Sequence, residues 1–160
     1  MNTKGKPMKT LIALPCMDTV CTPFLNSLLR MRIRGYATFT ITQATLIHDA
    51  RNKLAQEAMA ENYDRILFLD SDMTFEPDLM ERLAADMDEG AELAAGLYFT
   101  RKPPITPVIY SECYYKPVEG TKEVIPTATP YKDYPHDSVF EIAACGFGAC
   151  MVSVDLVKRV

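Results

Sequence analysis

The chain has 160 residues, of which 48% are hydrophobic and 24% charged, a composition typical of a single globular domain. Its formal net charge of −4 comes from 17 basic and 21 acidic residues, and the sequence has no basic tract. Surfaces that bind nucleic acid normally need clustered lysine and arginine, so no nucleic acid is expected as a partner. A bound nucleotide is compatible with this charge, because one arginine, a metal ion and backbone amides are enough to hold a diphosphate.

The sequence predicts neither a membrane span nor a targeting segment. The best apolar candidate, Ile142–Val154, is shorter than the ~20 residues that cross a bilayer, and it contains two glycines. The segment Leu11–Met17 is interrupted by Pro15, which argues against a signal peptide. The five cysteines form no short C-x-x-C pair, which favours free thiols over a disulfide framework or a zinc site. We therefore expect a cytoplasmic protein.

The first ~100 residues alternate between strand-like and helix-like patterns with the spacing of βαβ units. Short apolar or β-branched runs predict four strands, at Thr10–Leu14, Tyr36–Thr42, Ile66–Leu69 and Leu93–Phe99. Apolar stripes at helical spacing predict three helices between them, one from Thr22-Pro23 to about Gly35, one from Asp49 to Asn62, and one from Pro77 to Gly90. Alternating elements predict an α/β fold in which a mostly parallel sheet is flanked by helices.

The character of the sequence changes after Arg101. Prolines and tyrosines are frequent as far as Pro135, and helical periodicity disappears. We predict a hairpin around Val118–Val124 with Glu119-Gly120 in its turn. A further strand is predicted at Ser138–Ala144, and the first turn of a helix at Asp155–Val160.

Two carboxylates directly follow the third predicted strand. In Asp70-Ser71-Asp72 the aspartates are spaced i and i+2, and such side chains project to the same side of an extended backbone. They repel each other unless a cation is near, and a hard divalent ion takes oxygen ligands from carboxylates and phosphates. Ligands of parallel sheets bind outside the carboxyl ends of the strands, which is where this pair is expected. The open alternative is that Asp70 caps a turn and Asp72 is a solvated loop residue.

The residues upstream of this pair give it a context. Ala50-Arg51-Asn52 stands at the start of a predicted helix, and Tyr63 precedes the strand that ends in the carboxylates. With the proline that ends the first strand, this arrangement resembles the family 2 glycosyltransferases of the GT-A type. The later run Cys145-Gly146-Phe147-Gly148 is similar to a glycine-containing strand on the acceptor side of that family. The resemblance implies a Rossmann-like GT-A fold over residues 1–160, with a nucleotide-binding half over 1–100 and an acceptor-side half over 101–160.

The resemblance also implies a function. Such an enzyme, of a hexosyltransferase-like kind, moves a sugar from a nucleoside-diphosphate donor, here expected to be a UDP-sugar, to an acceptor that the sequence does not identify. The family's D-x-D motif holds a divalent cation on the donor diphosphate, which assigns Mn²⁺ or Mg²⁺ to Asp70 and Asp72, with the ribose as an alternative partner for Asp70. That cation stabilises the charge that develops as the sugar leaves.

Other site residues follow from the same resemblance. Pro15, Arg51 and Ser71 are expected to complete the donor nucleotide site. Gly146, Phe147 and Gly148 are expected on the acceptor side. For Arg51 an ion pair with Asp49 at the start of the helix is an equal alternative, and for the glycines a simple bulge.

No catalytic residue is assigned from the sequence. Family members continue past the glycine-containing strand to an acidic catalytic base, and this sequence ends at Val160. Glu141 and Asp155 are the nearest carboxylates, but neither matches the family's motif. We therefore expect a chain that is incomplete at its carboxyl end or lacks the usual base. It would bind donor but transfer sugar slowly, since a positioned base contributes ~10²–10⁴-fold.

Two other functions stay open at this stage. A nucleotidyltransferase would also use a parallel sheet, a metal and carboxylates, but the loop after the first strand, Pro15–Thr19, has neither the glycines nor the lysine of such enzymes. A non-catalytic nucleotide-sugar-binding fragment of GT-A fold would retain the donor residues and lack the base.

Overall fold

The computed structural model describes residues 7–43 and 46–160. In chain order, the elements are β1 (Lys9–Pro15), α1 (Thr22–Arg30), β2 (Tyr36–Thr42), α2 (Ile47–Ala60), β3 (Arg65–Leu69), α3 (Leu79–Asp88), β4 (Leu93–Ala95), β5 (Ile109–Pro117), β6 (Val124–Pro130), β7 (Ala144–Cys145), β8 (Ala149–Ser153) and α4 (Val154–Val157). The described chain divides into two compact units. The first comprises the residues up to Gly96 together with Phe147–Val160, and the second is Leu97–Gly146.

A five-stranded sheet forms the centre of the first unit, in the order β2-β1-β3-β8-β4. Strand β1 pairs in parallel with both β2 and β3. Strand β8 is antiparallel to both of its neighbours, β3 and β4. Every strand of this sheet except β8 therefore runs in the same direction, and the predicted mostly parallel α/β fold is confirmed.

Both faces of this sheet are covered by helices, as its apolar strands require. On one face Ile12, Leu14 and Leu67 pack with residues of α1 and α3, including Phe24 and Met80. The opposite face has its own cluster, in which β-strand residues pack against α2 and α4; its members include Leu11, Ala13, Leu54, Ala58, Ile66, Phe68 and Val154. Burial on both faces explains why β1 and β3 are almost continuously apolar rather than alternating.

The second unit contains a three-stranded antiparallel sheet in the order β6-β5-β7. Strands β5 and β6 form a hairpin, and Gly120 in its connection has a φ of +78°, a conformation that glycine adopts without strain. The predicted turn at Glu119-Gly120 is therefore confirmed, with the paired strands on either side of residues 118–123.

Two predicted strands are wrong in extent or position. The strand predicted over Leu93–Phe99 ends at Ala95, and Phe99 forms an isolated bridge with Pro107 instead. Of the strand predicted at Ser138–Ala144, only Ala144 belongs to a strand, the two-residue β7. Its apolar Phe140 packs instead against the rings of Tyr131 and Tyr134, so the pattern that suggested a strand reflects an aromatic cluster in irregular backbone.

The predicted helices are present with shifted ends. Helix α1 has proline in its first turn, as predicted, but ends at Arg30 rather than near Gly35. Helix α3 starts two residues after Pro77. Within residues 7–43 and 46–160, every helix falls short of the length and apolarity needed to cross a bilayer.

Candidate functional site

Pro15 and Asp70 lie at the same edge of the central sheet. Pro15 is the last residue of β1, and Asp70 follows the last residue of β3, its parallel neighbour. The Asp70 N–H donates to the carbonyl of Gly148 at 2.9 Å, and the Asp70 carbonyl accepts from the Met73 N–H at 3.1 Å. The carboxylate pair therefore starts a tight turn at the carboxyl edge, where ligands of such sheets bind.

Arg51 contacts one of these carboxylates. It lies in the second turn of α2, and its Nη2 donates to Asp70 Oδ1 at 2.8 Å. The Oδ1 atom of Asp49 instead lies 3.5 Å from Nε2 of His48. The alternative in which Arg51 forms an ion pair with Asp49 at the start of the helix is thus not the arrangement found.

The guanidinium of Arg51 also lies against an aromatic ring. Its Cζ is 5.7 Å from the centre of the Phe147 ring, and the Phe147 ring is 5.6 Å from that of Phe68 on β3. The buried Nε of Arg51 has no hydrogen-bond partner among the described residues. Phe147, which the resemblance assigned to the acceptor, is therefore in contact with the arginine expected on the donor side.

Helix α1 holds the loop that contains the two aspartates. The N–H of Cys21 donates to the Ser71 carbonyl at 3.2 Å, and Ser27 Oγ accepts from the Phe75 N–H at 3.2 Å. The rings of Phe24 and Phe75 meet edge to face at 6.1 Å. These contacts fix the loop along its length, and no motif in the sequence indicated the part played by Ser27.

The three residues predicted on the acceptor side have different surroundings. A side chain at Gly146 would stand 1.8 Å from Tyr98 Oη and 2.8 Å from Val108 Cγ1. The space over Gly146 is thus filled by residues of its own unit, which is a packing reason for glycine at this position. Gly148 belongs to the other unit and accepts the Asp70 N–H described above.

The two aspartates of this loop offer oxygen ligands to a cation. Within the described residues, no group of three or more histidine, cysteine, aspartate or glutamate side chains is arranged to hold a metal. Mg²⁺ is commonly bound by one or two carboxylates together with water and substrate phosphates, so two aspartates are a sufficient protein contribution. The oxygen donors of Asp70 and Asp72 fit a hard divalent ion shared with a diphosphate.

Of the two carboxylates considered as a base, Asp155 lies away from this edge. Asp155 follows β8, whose last residue, Ser153, is paired with Arg65 at the start of β3. Asp155 therefore lies near the opposite end of β3, about 16 Å from Asp70 along the five residues of that strand. Its carboxylate contacts Lys158. Glu141 is an exposed residue of the second unit.

Comparisons with known proteins concern the family and the fold of the chain. None of the curated proteins that were compared matches the chain. Among solved structures, the chain is similar to the crystal structure of A197 from STIV, with 19% sequence identity and a TM-score of 0.67. The similarity covers 96% of this chain and 69% of that one and concerns the fold. Residues 38–158, more than half of the chain, match the model of glycosyl transferase family 2, a family of enzymes that act on nucleotide-sugar donors. The chain therefore belongs to glycosyl transferase family 2.

Proposed function

We propose that this protein binds a nucleoside-diphosphate sugar, with uridine as the base, together with Mn²⁺ or Mg²⁺ and transfers the sugar to an acceptor. The observation that supports this most directly is the 2.8 Å pair between Arg51 and Asp70 at the carboxyl edge of β3. It brings a phosphate-binding type of side chain to the start of the aspartate loop. Pro15 at the end of β1 lies on the same edge, next to the expected base or ribose.

The charges at this edge favour a divalent cation. Asp70 and Asp72 bring two carboxylates to one loop, and Arg51 forms an ion pair with Asp70. A diphosphate would add further negative charge beside these carboxylates. A divalent cation removes the conflict and, once bound, stabilises the charge on the departing diphosphate. Asp70 and Asp72 would hold this cation through their carboxylate oxygens.

Arg51 is suited to contact the diphosphate directly. A guanidinium has five N–H donors, and the Arg51 contact with Asp70 Oδ1 occupies one end of it. Its Nε is buried and therefore out of reach of a ligand, but the side chain is 26% exposed, so its other N–H groups can reach an anionic acceptor. Phosphate oxygens have suitable geometry for a guanidinium.

Titration calorimetry with uridine diphosphate tests the donor assignment. We expect binding in Mn²⁺ that weakens at least 10-fold in chelator, because the carboxylates then repel the diphosphate. Cytidine and guanosine diphosphates serve as controls for the base. Equal affinity in Mn²⁺ and in chelator would contradict the role of the metal, and equal affinity for all three nucleotides would contradict the preference for uridine.

Product analysis separates the proposed reaction from the alternatives. A glycosyltransferase incubated with a UDP-sugar and Mn²⁺ transfers the sugar to an acceptor, or slowly to water, and releases uridine diphosphate. A nucleotidyltransferase incubated with a sugar phosphate and nucleoside triphosphate releases pyrophosphate. Donor binding without either product would support the non-catalytic alternative.

The ring beneath the arginine provides a further test of the donor side. We expect Phe147→Leu to weaken uridine diphosphate binding about 2- to 5-fold, since a partly exposed cation–π contact contributes about 0.5–1 kcal/mol. In the Arg51→Ala background the same substitution should have no further effect, because the ring acts by orienting the guanidinium. The four affinities are measured by calorimetry in Mn²⁺.

Two results would contradict this role of Phe147. An unchanged nucleotide affinity in Phe147→Leu would favour the acceptor-side assignment instead. Equal losses with and without Arg51 would mean that the ring affects binding independently of the arginine.

A further inference from the structure

Strand β2 has one side with which no described strand pairs. It is the end strand of the five-stranded sheet, and β1 pairs with it along its whole length, from Lys9↔Tyr36 to Pro15↔Thr42. Its sequence, Tyr-Ala-Thr-Phe-Thr-Ile-Thr, contains neither charge nor proline. Natural proteins usually protect exposed edge strands with lysine, proline or a bulge, because unpaired backbone groups are a template for another strand.

The hydrogen bonds with β1 identify which residues present their backbone at that edge. Tyr36 N–H donates to the carbonyl of Met8, and the carbonyl of Thr42 accepts from the Cys16 N–H. Residues 36 and 42 therefore direct their polar backbone groups toward β1, and by the alternation along a strand so do 38 and 40. The N–H and C=O groups of Ala37, Phe39 and Ile41 point to the free edge.

The side chains of these three residues lie on one face of the sheet. Ala37 packs against the core cluster on the side of α1 and α3. Thr40, from the alternate set, donates to Glu57 of α2 on the other face at 2.7 Å. Phe39 and Ile41 share the face of Ala37 and are 46% and 52% exposed. The free edge is thus apolar as well as unpaired.

We propose that a second copy of this chain pairs with β2 edge to edge, so that two β2 strands run antiparallel about a two-fold axis at Phe39. In this register Phe39 faces its own symmetry mate, and Ala37 faces Ile41 of the other copy. The pair of Phe39 residues and the two Ala37–Ile41 pairs direct their N–H and C=O groups toward the other copy. Each pair exchanges two backbone hydrogen bonds, about six in all. The pairing is isologous, as a symmetric dimer requires.

The exposed apolar surface is sufficient for a reversible dimer. In the first unit, ten of the twelve exposed large hydrophobic residues among those described lie between Met17 and Ile47, in β2 or in segments that flank it. Five of these belong to β2 or lie within a few residues of it, namely Ile33, Tyr36, Phe39, Ile41 and Leu46. At about 100 Å² each they supply at most roughly 500 Å² per copy, which is below the ~800 Å² of a standard interface and corresponds to a weak dimer.

The first test uses the direction of the backbone groups. Ala37→Pro removes an N–H that points to the partner, and Thr38→Pro removes one that points to β1. Analytical ultracentrifugation of the full chain should show a concentration-dependent dimer, whose Kd rises at least ~100-fold in Ala37→Pro, with about the same melting temperature for the monomer. Thr38→Pro should lower that melting temperature, because it breaks the pairing within the sheet. A wild-type chain that remains monomeric to about 0.5 mM, or an unchanged Kd in Ala37→Pro, would overturn the proposal.

A second pair of variants does not depend on proline being tolerated. Phe39→Lys and Phe39→Glu each place like charges opposite one another at the two-fold axis, so each alone should be monomeric. A mixture of the two should form the heterodimer, since unlike charges then face each other. If both variants dimerise alone as strongly as the wild type, the interface is elsewhere and the proposed pairing is wrong.

Discussion

Asp72→Asn is expected to lower the affinity for uridine diphosphate in Mn²⁺ on the order of 100-fold, which corresponds to about 2.7 kcal/mol. The substitution retains the size of the side chain and removes the negative charge that the proposed site uses to hold the cation. Asp72 is exposed, so the melting temperature should stay within a degree or two of the wild-type value. Calorimetry in Mn²⁺ and in chelator measures the effect. In chelator the variant should bind no more weakly than the wild type, because one of the repelling carboxylates is gone.

Glu76→Gln is the matched control. Glu76 is an exposed carboxylate of the same loop, and its described contact is the backbone bond from the Leu79 N–H to its carbonyl at 3.1 Å. Neutralising it changes the charge of the loop by the same amount without touching the proposed site. A similar loss of affinity in both variants would indicate a general electrostatic effect. Full Mn²⁺-dependent binding by Asp72→Asn would remove Asp72 from the metal site.

The sequence was sufficient for β1 and β3 of the central sheet because these two strands are buried on both faces. Strands such as β1 and β3 must be apolar throughout, and this pattern is visible without a structure. The second unit was harder to predict. There Phe140 stacks with Tyr134 in irregular backbone, and aromatic residues at strand-like spacing do not distinguish this packing from a strand.

In the candidate site, the positions of residues along the chain could be predicted from the sequence, but the contacts between distant residues could not. The position of Asp70 after β3 follows from local sequence, and the resemblance to the family supplied Arg51. The contacts of Arg51 with Asp70 and Phe147 join residues 19 and 96 positions apart, so no periodicity could reveal them. The register of β8 against β3 places Asp155 near the end of β3 opposite to Asp70. Pairing between strands that are distant along the chain is not visible in a single sequence.

The largest expected effect on stability comes from Asp88 at the end of α3. It accepts a hydrogen bond from Nη2 of Arg65 at 2.6 Å and another from Arg34 at 2.7 Å. Arg65 is the first residue of β3 and is only 7% exposed. In Asp88→Ala the guanidinium of Arg65 would lose its carboxylate partner and keep only the contact with the Ala84 carbonyl at 3.4 Å. A buried charge without its partner is costly, so this variant should be strongly destabilised.

We expect Asp88→Ala to lower the free energy of unfolding by about 2–3 kcal/mol at pH 7. This is less than the ~3–5 kcal/mol for a fully buried pair, because water reaches the carboxylate side. The hydrogen bond from Arg65 holds the pKa of Asp88 below its ordinary value of 3.8. The carboxylate therefore stabilises the fold above about pH 4, and this contribution is lost as the pH falls through the lower pKa of the folded state. Urea denaturation at pH 7 and near pH 2.5 should show the difference between variant and wild type shrinking in acid.

Glu81→Ala provides the comparison, since it removes the carboxylate of an exposed ion pair with Arg32. Both partners of that pair are hydrated, so its loss should leave the denaturation midpoint nearly unchanged. The contrast between the two variants isolates burial of the arginine as the cause, because each removes one carboxylate of α3 that accepts from an arginine. Equal and small effects of both substitutions would mean that water or the Ala84 carbonyl satisfies Arg65 without Asp88. A loss in Asp88→Ala that persists unchanged in acid would show that the side chain acts through packing rather than through its charge.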